Sequence, residues 1–284
     1  MSRGARRCAV LGSPIAHSLS PALHTAAYAH LGLSDWSYEA HDVTEPELAG
    51  FVSGCDESWA GLSLTMPLKV AALQLGEVDP LAELVGAANT LIFTPAGRQL
   101  HNTDVGGLVS AVRRATDRPC RRVTILGAGA TARSSLVSAA RLGATSVTVV
   151  ARDPGKGERL RPLAESCGVE LDVSGWDAQV PPNDLLISTV TAGAADERAA
   201  ALVASASVVF DAVYDPWPTR LAVEAARAGR TVVNGLDLLV GQAVLQIRLM
   251  TGRDIDPEAL SRAGLAALAA RTSDEQGSGS AVRQ

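Results

Sequence analysis

The stretch Val123-Thr-Ile-Leu-Gly127-Ala-Gly129-Ala-Thr131-Ala-Arg-Ser-Ser-Leu-Val-Ser-Ala-Ala-Arg-Leu142 decides the fold. Val123 to Leu126 is a short β-branched run that reads as a strand, and Arg133 to Leu142 is compatible with a helix. Between them the spacing is GxGxxA. Glycine at the first place allows a tight strand-to-helix turn, glycine at the second admits a pyrophosphate close to the backbone, and the small third residue lets helix pack on strand. The N-terminus of the helix then presents free N–H groups and a partial positive charge to phosphates. A glycine turn alone is a weak signal. Here strand, turn, helix and the next strand, Ser146 to Val150, all stand at the required places, so the reading is dinucleotide binding by Gly127, Ala128, Gly129, Ala130 and Thr131.

The end of that next strand bears on which dinucleotide is bound. A site for NAD usually carries Asp or Glu there, about 20 residues past the glycines, to bond the ribose 2′-OH. This chain reads Val150-Ala151-Arg152-Asp153-Pro154-Gly155-Lys156. Arg152 suits stacking on an adenine or forking onto a 2′-phosphate, and Lys156 adds a point charge to the same dianion. The expectation is NADP(H), with Asp153 open to two readings: a local partner for Arg152 or a ribose ligand.

Outward from the turn, Asp184 to Ile187, Ser207 to Phe210 and Thr231 to Val233 repeat the short apolar run at crossover spacing, as in a parallel sheet covered on both faces. Upstream, Cys8 to Leu11, Trp36 to Ala40, Gly61 to Leu64 and Asn89 to Phe93 read as strands, with helices at about Pro21 to Leu31 and Val70 to Leu75. The class is α/β throughout. Gln242 to Met250 and Pro257 to Ala270 read as helices, Arg113 to Arg122 as a hinge, and residues 272–284, rich in Ser, Gly and charge, as a disordered tail.

With 284 residues, 47% of them apolar, the chain has enough material for two domains. A net charge of -5 argues against binding nucleic acid or an anionic membrane. Cys8, Cys55, Cys120 and Cys167 are scattered, so neither a disulfide framework nor a metal site is expected. The basic N-terminus is followed by too short an apolar run for a signal peptide, and a cytoplasmic location is the expectation. Of 25 cationic residues only Lys69 and Lys156 are lysine.

The first half of the chain delivers polar groups in quick succession. Gly12-Ser-Pro14-Ile-Ala-His17-Ser18-Leu-Ser20-Pro21-Ala-Leu-His24 places two hydroxyls before a helix, with Ser20 a good N-cap and Ser18 left without a structural task. Ser63-Leu-Thr65-Met-Pro67-Leu-Lys69 brings a strand out into a turn. Asn89-Thr90 and Asn102-Thr103-Asp104 add an amide and a carboxylate. Together they suit a polyhydroxylated, anionic small molecule. Asp104 is also read as a cap for the helix Val105 to Val112.

These motifs, in this order, resemble the shikimate dehydrogenases. The resemblance runs from about residue 8 to 250 and takes in Asp211-Ala212-Val-Tyr214-Asp-Pro216 and Asn234-Gly235-Leu-Asp-Leu-Leu-Val-Gly-Gln242-Ala243. It implies NADP-dependent, reversible reduction of 3-dehydroshikimate to shikimate on the route to aromatic amino acids. The implied fold is an α/β substrate domain (1–112 and 237–271) and a Rossmann-like NADP domain (113–236), with the C-terminal helices returning to the first domain. By position, Ser18, Ser20, Thr65, Lys69, Asn89, Asp104, Tyr214 and Gln242 would hold the substrate, and Lys69 and Asp104 would be the catalytic pair. Gly127 to Thr131, Ala151, Arg152, Asp153, Lys156 and Thr189 would hold the cofactor, with Ala212 and Gly235 near the nicotinamide and no metal.

The chain departs from the family pattern at three places. Ser63 stands for a common Asn, Ser188-Thr189-Val-Thr191-Ala-Gly193 for Asn-Ala-Thr-x-x-Gly, and Asp153 for the Thr of Asn-Arg-Thr. Two other functions stay open at this level, an NAD-dependent quinate/shikimate dehydrogenase and a non-catalytic sensor of shikimate-like metabolites. The partner expected is a small molecule, and the chain is read equally as monomer or homodimer. His17, His24, His30 and His41 are assigned no catalytic part.

Overall fold

The computed structural model describes residues 4–281. The first part of the chain runs β1 (Arg6–Gly12), α1 (Ser20–His30), β2 (Trp36–Asp42), α2 (Glu45–Ser53), β3 (Trp59–Leu64), β4 (Glu77–Val78), α3 (Pro80–Val85), β5 (Thr90–Thr94), β6 (Gly97–His101) and α4 (Asp104–Ala115). Its six-stranded sheet has the order β2-β1-β3-β5-β6-β4. β1 is parallel to β2 and β3, whereas β5 is antiparallel to both β3 and β6. The segment 70–75, expected as an α-helix, holds only a 3-10 turn at Ala71–Gln74, with no side-chain cap at its start and with Gly76, pressed against the Arg98 backbone, directly after the segment.

The second part runs β7 (Arg122–Leu126), α5 (Ala130–Arg141), β8 (Ser146–Ala151), α6 (Pro154–Glu158), α7 (Arg161–Ser166), β9 (Glu170–Gly175), β10 (Asn183–Ser188), α8 (Ala199–Ala204), β11 (Ala206–Asp211), α9 (Arg220–Arg227) and β12 (Thr231–Asn234). All of its strand pairs are parallel, in the order β12-β11-β10-β7-β8-β9. Strand order reverses between β7 and β10, and ligands of such sheets bind in the crevice at that reversal. The chain closes with α10 (Gly235–Thr251) and α11 (Pro257–Ala281). The backbone of α11 takes in 272–281, where disorder was expected. Once its first half is packed, each further residue adds one backbone bond at little cost. Residues 282–284 of that segment lie outside the described ones.

α10 leaves the second sheet and packs on the first. Leu236, Val240, Ala243, Ile247 and Met250 share a core with Cys8, Val10, Leu19 and Leu23. α4 goes the other way: Val105, Leu108, Ala111 and Val112 join the core of the second sheet with Ile125, Leu136 and Leu185. The expected boundary at residue 112 therefore cuts through a helix whose apolar face belongs to the second sheet. Among the described residues no helix is long and apolar enough to cross a membrane.

α4 and α10 cross at glycines. A Cβ on Gly107 would lie 2.6 Å from the backbone N of Gln242, and one on Gly241 would lie 2.7 Å from the carbonyl O of Gly107. Alanine favours a helix interior over glycine by about 1 kcal/mol, but here it meets backbone, which cannot step aside. We expect Gly241→Ala to lower stability by about 1–3 kcal/mol in urea unfolding. Gly50→Ala in α2, where nothing lies within 4 Å of the added carbon, should raise it by about 0.5–1 kcal/mol.

Candidate active site

The substrate-side residues meet in one cavity of about 310 Å³ between the two sheets. Ser18, Ser20, Thr65, Lys69, Asn89, Asp104, Tyr214 and Gln242 all line it. β3 ends at Leu64 and its exit turn carries Thr65 and Lys69, tied back by the Ala88 N–H donating to the Lys69 carbonyl at 2.8 Å. α4 starts at Asp104. The Lys69 Nζ donates to Asp104 Oδ2 at 2.6 Å, with both side chains largely shielded from water.

Asp104 is not the cap of its helix. Asn102 Oδ1 accepts from the Val105 N–H at 3.2 Å instead. The second Asp104 oxygen, Oδ1, accepts from Asn89 Nδ2 at 2.8 Å. Asn89 is held in turn, its Oδ1 accepting from the Thr103 N–H at 2.8 Å and from the Thr90 hydroxyl at 3.0 Å. Because a backbone N–H can only donate, the Asn89 amide has one orientation, NH₂ toward the carboxylate. Gln242 Oε1 lies 3.4 Å from the same nitrogen.

The two serines exchange the tasks expected of them. Ser20 is the first residue of α1 and its hydroxyl makes no capping bond, while Ser18 Oγ accepts from the Ser20 N–H at 3.3 Å. The buried Ser20 hydroxyl lies in the cavity wall beside the Tyr38 phenol. From beyond the cleft, Tyr214 donates to the His17 carbonyl at 3.3 Å, and burial pushes its phenol pKa up. Arg271 of α11 forks onto the His17 and Ser18 carbonyls at 2.9 and 2.8 Å.

A second cavity, of about 440 Å³, is lined by Gly127, Ala128, Gly129, Ala151, Arg152, Asp153, Lys156 and Thr189. Gly127 has φ +101°, and a Cβ there would lie 2.7 Å from Thr189 Oγ1, so only glycine makes the turn. The N-terminus of α5 has no side-chain cap, leaving its first N–H groups open to an anion. Asp153 accepts from the Gly155 N–H at 3.0 Å as the N-cap of α6. That bond ties one Asp153 oxygen to the backbone, and Asp153 lines the cavity beside Arg152 and Lys156, both exposed at its rim. The residues present therefore fit a dinucleotide carrying an extra phosphate on its ribose.

Thr131, Ala212 and Gly235 open onto the first cavity rather than the second. They stand where a cofactor laid over the glycine turn meets the polar pocket. Ala130 lines neither cavity. The sequence reading missed Gln246 on the floor of the first cavity and Trp176 in the second. Gln246 sits four residues beyond Gln242 on one helix face, a spacing that marks it. Trp176 follows β9, a strand whose weak alternation went unread.

A nucleotide cradle set against a hydroxyl-rich pocket with a shielded lysine–carboxylate pair defines a nicotinamide-dependent oxidoreductase. Comparison with known proteins narrows this. Residues 10–91 match the family described as shikimate dehydrogenase substrate binding domain. The NADP(+) shikimate dehydrogenase of Methanothermobacter thermautotrophicus is 35% identical over 257 residues, covering 86% of this chain and 90% of that one. The crystal structure of the Mycobacterium tuberculosis shikimate dehydrogenase superposes with a TM-score of 0.85 at 42% identity, covering 92% of this chain and 99% of that one. The Thermus thermophilus enzyme in complex with NADP(H) and shikimate gives 0.80 at 34% identity, over 92% and 99%. The chain belongs to the shikimate dehydrogenase family.

His24, wholly buried under this site, has its pKa pushed down to about 3 by loss of solvation. The unfolded chain takes up that proton near pH 6.5, the folded protein only near 3. Stability is therefore full above the upper value and falls as the pH drops, by about 1.4 kcal/mol per unit. We expect the urea midpoint to fall between pH 6.5 and 5, above the range of ordinary carboxylates. His24→Gln, less stable at neutral pH, should show a flatter slope there.

Proposed function

We propose that the protein catalyses the reversible NADP-dependent reduction of 3-dehydroshikimate to shikimate. The observation that carries this reading is the Lys69–Asp104 pair, at 2.6 Å, inside a cavity whose other polar side chains are hydroxyls, carboxamides and the imidazole of His17. A ring bearing a carboxylate and several hydroxyls finds donors and acceptors on every side there. When bound, the cofactor supplies the hydride.

Negative charge then develops on the carbonyl oxygen, and the Lys69 ammonium both stabilises it and gives up the proton. Asp104 keeps that ammonium aimed and charged through one oxygen while Asn89 holds the other. In the oxidative direction Lys69, neutral, takes the proton from the substrate hydroxyl. A guanidinium at this position would bind the oxyanion but release its proton far too reluctantly. Asn89, Gln242 and Thr65 orient the ring hydroxyls, and Ser18, Ser20 and Tyr214 hold the carboxylate end. The sheet of β1–β6 with α10 and α11 forms the substrate side, and the sheet of β7–β12 the cofactor side.

Nicotinamide absorbance with shikimate or quinate, and NADP or NAD at matched concentrations, tests the reading. The expected order puts shikimate with NADP first; a faster quinate–NAD reaction overturns it. Lys69→Ala should cut turnover by roughly 10²–10⁴-fold while shikimate affinity stays within about tenfold. Separately, Arg152→Ala and Lys156→Ala should each raise the KM for NADP about tenfold and leave that for NAD nearly unchanged, the loss of one charge-assisted contact to a phosphate.

A further inference from the structure

Gln246 is 1% exposed, on the face of α10 that meets the first sheet, and every polar atom of its side chain is engaged. Its Nε2 donates to the Asn89 carbonyl at 3.1 Å and to Thr90 Oγ1 at 3.0 Å. Its Oε1 accepts from the Ser63 hydroxyl at 2.8 Å and faces His24 Nε2 at 3.3 Å. Ser63 in turn receives the Tyr38 hydroxyl at 2.6 Å, and the rings of Tyr38 and His24 stack with centroids 4.0 Å apart.

One group sets the direction of this whole array. The Asn89 carbonyl can only accept, so the amide nitrogen of Gln246 must face it and the oxygen must face Ser63 and His24. Ser63 then donates to Gln246, Tyr38 donates to Ser63, and His24 carries its proton on Nε2. On the far side, Thr90 receives from Gln246 and has its own hydrogen left for Asn89 Oδ1, at 3.0 Å. That bond and the Thr103 N–H together hold the Asn89 amide with its NH₂ on Asp104. An unbroken chain of one-way bonds thus runs from Tyr38 through Ser63, Gln246, Thr90 and Asn89 to the Asp104 carboxylate. Ser63 and Gln246 occur together here, where the shikimate dehydrogenase pattern commonly has Asn at the first position; the shorter serine is reached by the long carboxamide from α10.

We propose that Gln246 is a positioning residue for the reaction: it locks the Asn89 backbone carbonyl and the Thr90 hydroxyl, and through Asn89 it aligns the Lys69–Asp104 pair. It touches no reacting atom. The inference rests on the functional reading above for its kinetic consequence, but its structural content concerns the Asn89 amide alone.

Gln246→Met keeps the length of the side chain and removes all four hydrogen bonds. The substituted protein is first checked for a folded circular dichroism spectrum and for NADP affinity within twofold of the parent, Gln246 standing outside the lining of the cavity that holds Arg152 and Lys156. The kcat for shikimate oxidation should then fall about tenfold or more, as misaligned catalytic groups do. In an Asn89→Ala background the same substitution should cost less than twofold, since its route to the pair is already cut. A full-sized loss in that background, or an unchanged kcat in Gln246→Met, overturns the proposal.

The side-chain NH₂ resonances of Asn89, assigned by their loss in Asn89→Ala, are read without any substrate. They should shift and exchange faster with water in Gln246→Met; unmoved resonances overturn the positioning claim by themselves. Absence of shikimate turnover in the unsubstituted protein would overturn the functional reading and leave this second measurement to decide the role of Gln246.

Discussion

The architecture depends on two helix backbones touching. Where α4 crosses α10, Gly107 and Gly241 bring main chain against main chain, with no side chain between them. α4 starts at Asp104 and has its apolar face in the core of the second sheet. α10 starts at the end of β12 and has its apolar face in the core of the first. The crossing is therefore the place where two cores are fastened to each other. It also sets the site, because the residue after Gly241 is Gln242, delivered to the Asn89 amide that Asp104 shares. An ångström more between the helices would separate those groups without altering a single catalytic residue.

The polar floor of the first cavity follows from the same economy of space. His24, Ser63, Thr90 and Gln246 are buried, where an unpaired polar group costs roughly 1–3 kcal/mol. Their mutual bonds offset that cost only if every donor finds its acceptor, so the set has one arrangement. His24 Nδ1 remains without a partner, and the neutral imidazole tolerates this where a charged one would not. Rigidity at the floor is thus a product of the burial itself. The second cavity is built the opposite way: free backbone N–H groups at the start of α5 and two exposed cations at the rim, all left unpaired for a charged ligand.

The second sheet was legible in the sequence because its strands are buried on both faces and write themselves as unbroken apolar runs, Val123 to Leu126 and Ser207 to Phe210 among them. β9 escaped notice, since Glu170, Asp172 and Ser174 alternate with its apolar residues at the sheet edge. The short β4 is set by pairing with β6, which no local pattern records, whereas α3 carries local signals in the Asp79 cap, Pro80 and the left-handed Gly86, and β6 is the second arm of a hairpin with β5. At the site, the residues with chemical tasks were readable from type and spacing, and all eight substrate-side positions meet in one cavity. What the residues do with one another was less readable. That Asn102 rather than Asp104 caps α4, that Ser18 rather than Ser20 serves the turn before α1, and that Asp153 caps α6 are matters of hydrogen-bond competition, decided by which atom lies nearer once the chain has folded. Gln246 and Asn89 are 157 residues apart, beyond the reach of any local reading.

Arg271 adds a consequence in time. Its guanidinium holds the carbonyls of His17 and Ser18 and lies 3.9 Å from Asp215 across the cleft. The loop it holds precedes α1, and Arg271 lies 253 residues further along the chain. Domains generally fold as they emerge, N-terminal parts first, so the first sheet waits for α10 and the serine loop waits for α11. The clamp on the serine loop is thus made only after both sheets have emerged, and a product of this chain that stops short of α11 would carry the cavity with that loop unheld by Arg271.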